Sequence, residues 1–156
     1  VQRHNALRDF VAQNAIPQAT GLPALVEQHT EAFDDRRHPD ISYQTWRGET
    51  SWLDVAVVSP MVRQGGQARH TRAGAAIAAH ESMKRRKYPS LSLMPLVCAH
   101  LGRAGGDLVT FVRALHRDPD PAARTQAISN FWQSWASTLQ QWNVKILSSA
   151  GPLLPA

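Results

Sequence analysis

Apolar side chains recur at helical spacing near the start of the chain and then give way to short extended segments. Residues 2–13 carry apolar side chains at steps of three and four, which predicts a first amphipathic helix. Residues 14–23 hold two prolines and a glycine and are predicted to form a loop. Residues 24–30 are short and mixed in character, and we interpret them as a first strand.

A β-hairpin is predicted next. Residues 41–46 and 51–58 are rich in β-branched and aromatic side chains, and the segment Trp46-Arg47-Gly48-Glu49 between them has the composition of a tight turn. Side chains alternate along the second strand, so one of its faces holds Asp54. The opposite face, predicted to be core, holds Leu53, Val55 and Val57.

The next part of the chain alternates helices with one apolar strand. Residues 62–72 are basic and contain a glycine pair, and they are predicted to be a mobile loop. Helices are predicted over 73–88 and 107–117. The apolar segment 91–99 between these helices is predicted to be a buried strand despite Pro95.

A long C-terminal helix completes the prediction. Its apolar stripe must be covered by the sheet of the same domain, by another domain of a parent protein or by DNA. The stripe consists of Ile128, Phe131, Trp132, Trp135, Leu139, Trp142 and Ile146. The predicted fold class is α/β, in the sense of a mixed α+β arrangement, with a small mixed central sheet flanked by helices. We expect residues 1–118 to form the core and residues 119–156 to be a helical extension packed on it within a single domain.

Composition restricts the classes of protein to which the chain can belong. With 156 residues, one domain is expected, and no apolar run approaches the roughly 20 residues of a membrane span, which predicts a soluble protein.

Lys and Arg number 17 against 12 for Asp and Glu, and most of these basic residues are arginine, which favours a polyanionic partner over an ordinary basic surface. The single cysteine, Cys98, excludes an internal disulfide. The start at Val1 predicts a piece of a longer protein.

Two carboxylates of the hairpin are predicted to lie side by side. If Trp46, Arg47 and Gly48 form a three-residue loop with Gly48 left-handed, residues whose numbers sum to 94 lie opposite one another. Asp40 and Asp54 then have Cβ atoms about 5 Å apart on one face. A loop one residue longer would place them on opposite faces. Because like charges repel at that distance and a divalent cation reverses the effect, the pair predicts a metal site.

The acidic pair resembles the motif of the PD-(D/E)xK nuclease superfamily. Pro39-Asp40 followed by Asp54-Val55-Ala56 is similar to its two acidic segments. Lys84 to Tyr88 is similar to the Lys-x-x-x-Tyr signature of the restriction-like branch found in early-branching, site-specific non-LTR retrotransposons. The likeness covers residues 3–106 and also takes in Arg3-His4-Asn5-Ala6-Leu7, Pro95-Leu96-Val97 and Leu101-Gly102.

This resemblance implies a restriction-endonuclease-like core and a domain that nicks target DNA with Mg²⁺ or Mn²⁺ held by Asp40 and Asp54. In the wider superfamily a lysine stands two residues after the second acid, where this chain has Ala56. The resemblance implies that Lys84, together with Tyr88, has taken the role of that lysine. The 3′-hydroxyl would prime reverse transcription of the element's RNA by a fused reverse transcriptase domain of the parent protein, in the nucleus.

Other basic and polar residues are candidates for the catalytic centre or for contact with double-stranded DNA. Lys87 is a second candidate for the catalytic lysine, and Glu27 is either a further metal ligand or an exposed strand residue. Arg3, His4 and Asn5 match the family's N-terminal signature and would face DNA or the active centre. The candidate phosphate contacts are Arg63, Arg69, Arg72, Arg85, Arg86 and Lys87.

Two other functions fit the same residues. Ala56 favours a catalytically degenerate nuclease fold that only binds DNA or a partner protein. A stand-alone repair or junction-resolving nuclease would prefer branched DNA and would lack a fused polymerase. Cys98 and His100 have no partner pair and are predicted to be a core thiol and a surface imidazole rather than a zinc site.

Overall fold

Five α-helices and six strands make up the part of the chain that the computed structural model describes, residues 2–27, 38–59, 61–64, 67–70 and 74–149. The helices are α1 (Gln2–Phe10), α2 (Ile16–Thr20), α3 (Ala75–Lys87), α4 (Gly106–Leu115) and α5 (Pro121–Ser149), and a π-helical stretch, Val11–Ala15, joins α1 to α2. The strands are β1 (Leu25–Val26), β2 (Ile41–Gln44), β3 (Thr50–Val58), β4 (Met61–Gln64), β5 (Gln67–His70) and β6 (Leu93–Ala99).

A mixed sheet of four strands lies at the centre, in the order β1-β2-β3-β6. The β1–β2 and β2–β3 pairs are antiparallel and the β3–β6 pair is parallel. Pro95 lies in β6, at the edge of the described sheet, where a residue without an N–H group is tolerated. The predicted small mixed sheet flanked by helices, with a long C-terminal helix, is confirmed.

Helices cover both faces of this sheet. On one face, Leu53 and Val55 of β3 are fully buried in a cluster with side chains of α1, α4 and α5. On the other face, Ala56 and Val58 pack with Ile77 of α3. Because complete burial of one aliphatic side chain contributes about 1.5–3 kcal/mol, these two clusters hold α1 and α3 firmly against β3.

The apolar stripe of α5 is covered by the same domain. Phe131, Trp135 and Leu139 belong to the cluster that contains the buried side chains of β3. Phe131 stacks on Trp135 with ring centroids 5.8 Å apart. Most of the packing of α5 is against α1 rather than directly on the sheet, and the stripe becomes exposed at Ile146.

The prediction of a loop over residues 14–23 is wrong for residues 14–20, because the helical path continues to Thr20. The π-helical stretch shifts the hydrogen-bonding register, with the N–H of Ile16 donating to the carbonyl of Val11. Pro17 then falls in the first turn of α2, where the missing N–H group is not needed. The helix ends at Gly21, which has a φ of +70° and donates to the carbonyl of Pro17 at 2.9 Å.

The prediction of a loop is also wrong for residues 62–64 and 67–70, while residues 65–66 and 71–72 lie outside the described part of the chain. Strands β4 and β5 pair antiparallel, with Gln64 opposite Gln67. In a sequence, a glycine pair between two short extended segments is typical of a two-residue hairpin connection. The strands are too short for side-chain alternation to reveal them.

Candidate metal centre

The β2–β3 hairpin has the predicted register. Ile41 lies opposite Leu53, so the numbers of paired residues sum to 94. Gly48, the last residue of the three-residue loop, has the left-handed φ of +77° that this geometry requires. Asp40 directly precedes β2, and the same register brings it beside Asp54 on the face of the hairpin that α3 covers.

Asp40 is buried and is held by two groups. Its Oδ2 atom accepts a hydrogen bond from the backbone N–H of Val55 at 2.7 Å and lies 2.8 Å from Nε2 of His4 in α1. Nδ1 of the same imidazole lies 3.0 Å from Oδ1 of Asn5. Since both ring nitrogens face acceptors, both carry hydrogen and the imidazole is cationic in this arrangement.

Asp54 is 2% exposed, and among the residues that the structure describes only one of its two oxygens meets a donor. Oδ1 accepts a hydrogen bond from Nζ of Lys84 at 2.7 Å, so α3 delivers an ammonium group to the acid pair. Oδ2 is buried and has no hydrogen-bond donor among the residues that the structure describes. Because a buried acceptor without a partner costs about 1–3 kcal/mol, this oxygen is a site that a cation would stabilise.

The two carboxyl groups differ in proton affinity. Burial opposes ionisation of Asp40, but the hydrogen bonds with His4 and Asp54, the charge of His4 and the N–H of Val55 together outweigh it and lower the pKa of Asp40. Burial, together with the negative charge of Asp40, raises the pKa of Asp54 to about 6, and Lys84 offsets this only in part. The hydrogen bond to Asp40 raises the pKa of His4, against the effect of burial. Asp54 is therefore the acid that titrates near neutral pH.

The donor atoms are close enough to share one ion. His4, Asp40 and Asp54 each offer one atom that lies within 4.8 Å of the atoms offered by the other two. Around Mg²⁺ the ligands lie at roughly 2.1 Å, so opposite ligands are about 4.2 Å apart, and closure needs movements below about 1 Å. Together with Oδ2 of Asp54, which has no donor in the described part of the chain, this donor set fits Mg²⁺ or Mn²⁺.

The two lysines at the end of α3 have different surroundings. Lys84 reaches Asp54, whereas Nζ of the exposed Lys87 lies 4.9 Å from the centre of the Tyr88 ring. The geometry therefore favours Lys84 over Lys87 for a role at the acid pair.

Tyr88 lies just beyond the end of α3, although the predicted helix over 73–88 included it. Its ring is buried, and its hydroxyl donates to the carbonyl of His38 at 2.8 Å. His38 is two residues before Asp40 in the chain. Tyr88 thus anchors the segment that delivers Asp40.

The remaining candidates near the chain start are held by structural contacts. Arg3 donates to Oδ1 of Asn143 at 3.0 Å and so connects α1 to α5. Asn5 contacts the ring of His4. Glu27 is exposed and pairs with Arg8, and it is not a member of the three-residue group around Asp40.

The candidate phosphate contacts fall into three groups. Arg86 and Lys87 are exposed at the end of α3, while Arg85 pairs with Asp107 at the start of α4. Of Arg63 and Arg69 only the backbone is described, and Arg72 lies outside the described residues. The structure therefore presents Arg86 and Lys87 as the basic groups beside Lys84.

Sequence reasoning did not assign two contacts of this centre. It placed His4 at the DNA or the active centre without giving it a metal-binding role, and it did not foresee the hydrogen bond from Val55 to Asp40. The helix-start motif Arg3-His4-Asn5 was the available signal. His4 and Asp40 are 36 residues apart in the chain, so no local pattern connects them.

The chain matches none of the known proteins with which it was compared, so its function has to be inferred from the geometry of the site. No protein-family model, curated protein or solved structure matches this chain. In the part of the chain that the structure describes, every helix is too short or too polar to cross a membrane.

Proposed function

We propose that the chain is a metal-dependent DNA endonuclease domain of a non-LTR retrotransposon protein, which nicks target DNA to leave a 3′-hydroxyl primer for reverse transcription. The observation that carries this proposal is the buried Asp54, whose Oδ1 meets Lys84 while Oδ2 has no donor among the described residues. A buried acid between a second acid and a lysine suits metal-assisted hydrolysis of a phosphodiester. The retrotransposon context rests on the resemblance of the Lys84 to Tyr88 segment.

The residues of the centre take distinct roles in this proposal. Asp40 and Asp54 would hold Mg²⁺ or Mn²⁺. When bound, the ion would neutralise charge on the phosphate and lower the pKa of a bound water. Lys84 stabilises charge on the phosphate or orients the attacking water, and its ion pair with Asp54 pre-positions the ammonium group. The N–H of Val55 keeps Asp40 in place.

Double-stranded DNA is the proposed substrate because of the charge beside the acid pair. The chain has a formal charge of +5, and exposed Arg86 and Lys87 follow Lys84 within the last turn of α3. A DNA backbone that passes this end of α3 would bring one phosphate to Lys84, while Arg86 and Lys87 contact the adjacent phosphates. The fused reverse transcriptase domain, the element RNA and the nuclear location belong to the same proposal.

A non-catalytic DNA-binding module is the second candidate, and one observation favours it. His4 pairs with Asp40 and Lys84 pairs with Asp54, so two cationic groups already balance the two carboxylates. Such a centre is electrostatically complete without an ion. The basic end of α3 would then bind DNA without cutting it.

Nicking of supercoiled plasmid in Mg²⁺ and in Mn²⁺ separates the two candidates. The expected result is metal-dependent conversion to open circles by the wild-type chain, and loss of at least about 100-fold in Asp54→Asn and Lys84→Met. Lys145→Met is the control, because it removes the same charge from the far end of α5. The nicked strand should be extended by a DNA polymerase without prior phosphatase treatment, since it carries a 3′-hydroxyl.

Three results would overturn the proposal in whole or in part. Equal nicking by wild type and Asp54→Asn would remove the acid pair from the chemistry, and DNA binding without nicking by the wild type would leave the non-catalytic module. A strong preference for four-way junctions over linear duplex would overturn the retrotransposon assignment in favour of a junction nuclease.

A further inference from the structure

We infer that His4 is the third protein ligand of the metal, and that its imidazole makes the centre prefer Mn²⁺ to Mg²⁺. This inference rests on the proposed metal site of Asp40 and Asp54. The added ligand comes from α1, whereas the two acids lie on the β2–β3 hairpin and Lys84 lies on α3. The first observation behind it is the position of one donor atom of His4 within 4.8 Å of those of the two acids.

The orientation of the imidazole supports ligation through Nε2. Nε2 points to Oδ2 of Asp40 at 2.8 Å, while Nδ1 faces Oδ1 of Asn5 at 3.0 Å. Without an ion both ring nitrogens face acceptors and carry hydrogen. When a metal binds, Nε2 gives up its proton to solvent, and the hydrogen bond from Nδ1–H to Asn5 then keeps the lone pair on Nε2. Metal-binding histidines have such a partner on the second nitrogen, so Asn5 is the positioning residue for His4.

The backbone that carries His4 is fixed from several sides. Leu7, one turn later on α1, is fully buried in the core cluster, and Arg3 donates to Asn143 of α5. The side chain of His4 is 29% exposed, so one side of the imidazole remains open to solvent. The ring therefore lines the approach to the acid pair from a rigid helix rather than from a loop.

The donor set determines which ion is favoured. Two carboxylates alone suit Mg²⁺, Ca²⁺ and Mn²⁺, which all prefer oxygen ligands. Replacing one oxygen or water by an imidazole nitrogen shifts the preference toward the transition metal, because nitrogen is a softer ligand. The centre should then bind Mn²⁺ more tightly than Mg²⁺, and this difference should depend on His4.

Electron spin echo envelope modulation of the Mn²⁺-loaded protein tests the inference directly, because it detects a nitrogen bound to the ion. The chain contains seven histidines, so the protein is used without a histidine tag. We expect ¹⁴N modulation in the wild type and its absence in His4→Ala. Labelling with ¹⁵N-histidine should replace the ¹⁴N modulation by a ¹⁵N pattern. His80→Gln, a substitution on α3, is the control and should leave the spectrum unchanged.

Calorimetric titration gives the second readout. His4→Ala should weaken Mn²⁺ binding by about tenfold or more and Mg²⁺ binding by less. Wild-type protein that binds Mn²⁺ through Asp54 but shows no ¹⁴N modulation would overturn the role of His4 and leave the proposed endonuclease intact. Mn²⁺ binding that is unchanged in Asp54→Asn would overturn both.

Discussion

The carboxylate of Asp40 accepts a hydrogen bond from the backbone N–H of Val55, the residue that follows Asp54, at 2.7 Å. One acid is thus fixed by the backbone that carries the other. This bond sets their separation independently of the lysine and histidine side chains around them. The two acids are nevertheless unequal, because Asp40 has donors for its charge while one oxygen of Asp54 meets no donor among the described residues.

Removing the two charges should have opposite effects on stability. Asp40→Asn loses an ionised acceptor that serves His4 and Val55, and should lower the free energy of unfolding by about 1–3 kcal/mol at pH 7.5. Asp54→Asn removes a buried charge that lies beside the charge of Asp40, and should raise the free energy of unfolding. Both variants should lose plasmid nicking. Urea unfolding in EDTA measures the stability, and equal destabilisation by the two substitutions would contradict this account.

The stability of the wild type should depend on pH through Asp54. The pKa of Asp54 is raised to about 6 in the folded chain and is about 4 when unfolded, so the folded state binds this proton more tightly. The stability that this tighter proton binding contributes is present at acidic pH and is lost as the pH rises from about 4 through 6. The stability advantage of Asp54→Asn over wild type should therefore grow by about 1–3 kcal/mol between pH 4.5 and 7.5.

The comparison of wild type with Asp54→Asn cancels the effect of His4 and only part of that of Asp40, because Asp54 itself lowers the pKa of Asp40. The lowered pKa of Asp40 adds stability that is lost as the pH falls, and the raised pKa of His4 adds stability that is lost as the pH rises. Both groups are present in the two proteins. A difference that does not change with pH would show that Asp54 has an ordinary pKa.

The ion pair between Lys84 and Asp54 should show strong coupling in a double-mutant cycle. Lys84→Met leaves the charge of Asp54 buried without its partner and should cost about 1–3 kcal/mol at pH 8. The double variant Lys84→Met/Asp54→Asn should recover most of this loss, because neither charge remains. Additive effects in urea unfolding would show that the pair is not formed in solution.

Tyr88 should act through the position of Asp40. Tyr88→Phe removes the hydrogen bond to the carbonyl of His38 and should cost about 1 kcal/mol of stability. Mn²⁺ affinity should fall severalfold, since the segment before Asp40 loosens. Tyr43→Phe, a hydroxyl deletion on β2, should leave Mn²⁺ affinity unchanged. A lower kcat with unaltered metal affinity in Tyr88→Phe would instead indicate direct contact with the substrate.

The C-terminal helix should be required for folding. Trp135 is buried in the same cluster as the side chains of β3, so Trp135→Ala should cost about 3–5 kcal/mol. The neighbouring exposed Gln133→Ala should have little effect. A fragment of residues 1–118 should lack the dispersed amide proton spectrum of a folded domain. A well-dispersed spectrum of that fragment would show that the core folds alone.

The sequence predicted the acid pair more accurately than the helices around it. Hairpin register depends on loop length and on a glycine at position 48, which are local properties that a sequence reveals. The helix through Pro17 and the β4–β5 hairpin depend on a shifted hydrogen-bonding register and on very short strands, for which the local signal is weak. The position of His4 depends on the packing of α1 against the sheet, which no spacing in the sequence encodes.

The hairpin loop has a consequence for the evolution and engineering of the chain. Surface loops usually accept insertions at small cost, because closure entropy grows slowly with length. The loop that ends at Gly48 is far along both strands from the acids, yet its length decides which face Asp54 occupies relative to Asp40. One inserted residue there would separate the acids while leaving every residue of the metal centre unchanged. Loop length at this turn is thus a determinant of the site that comparisons of residue identity alone would overlook.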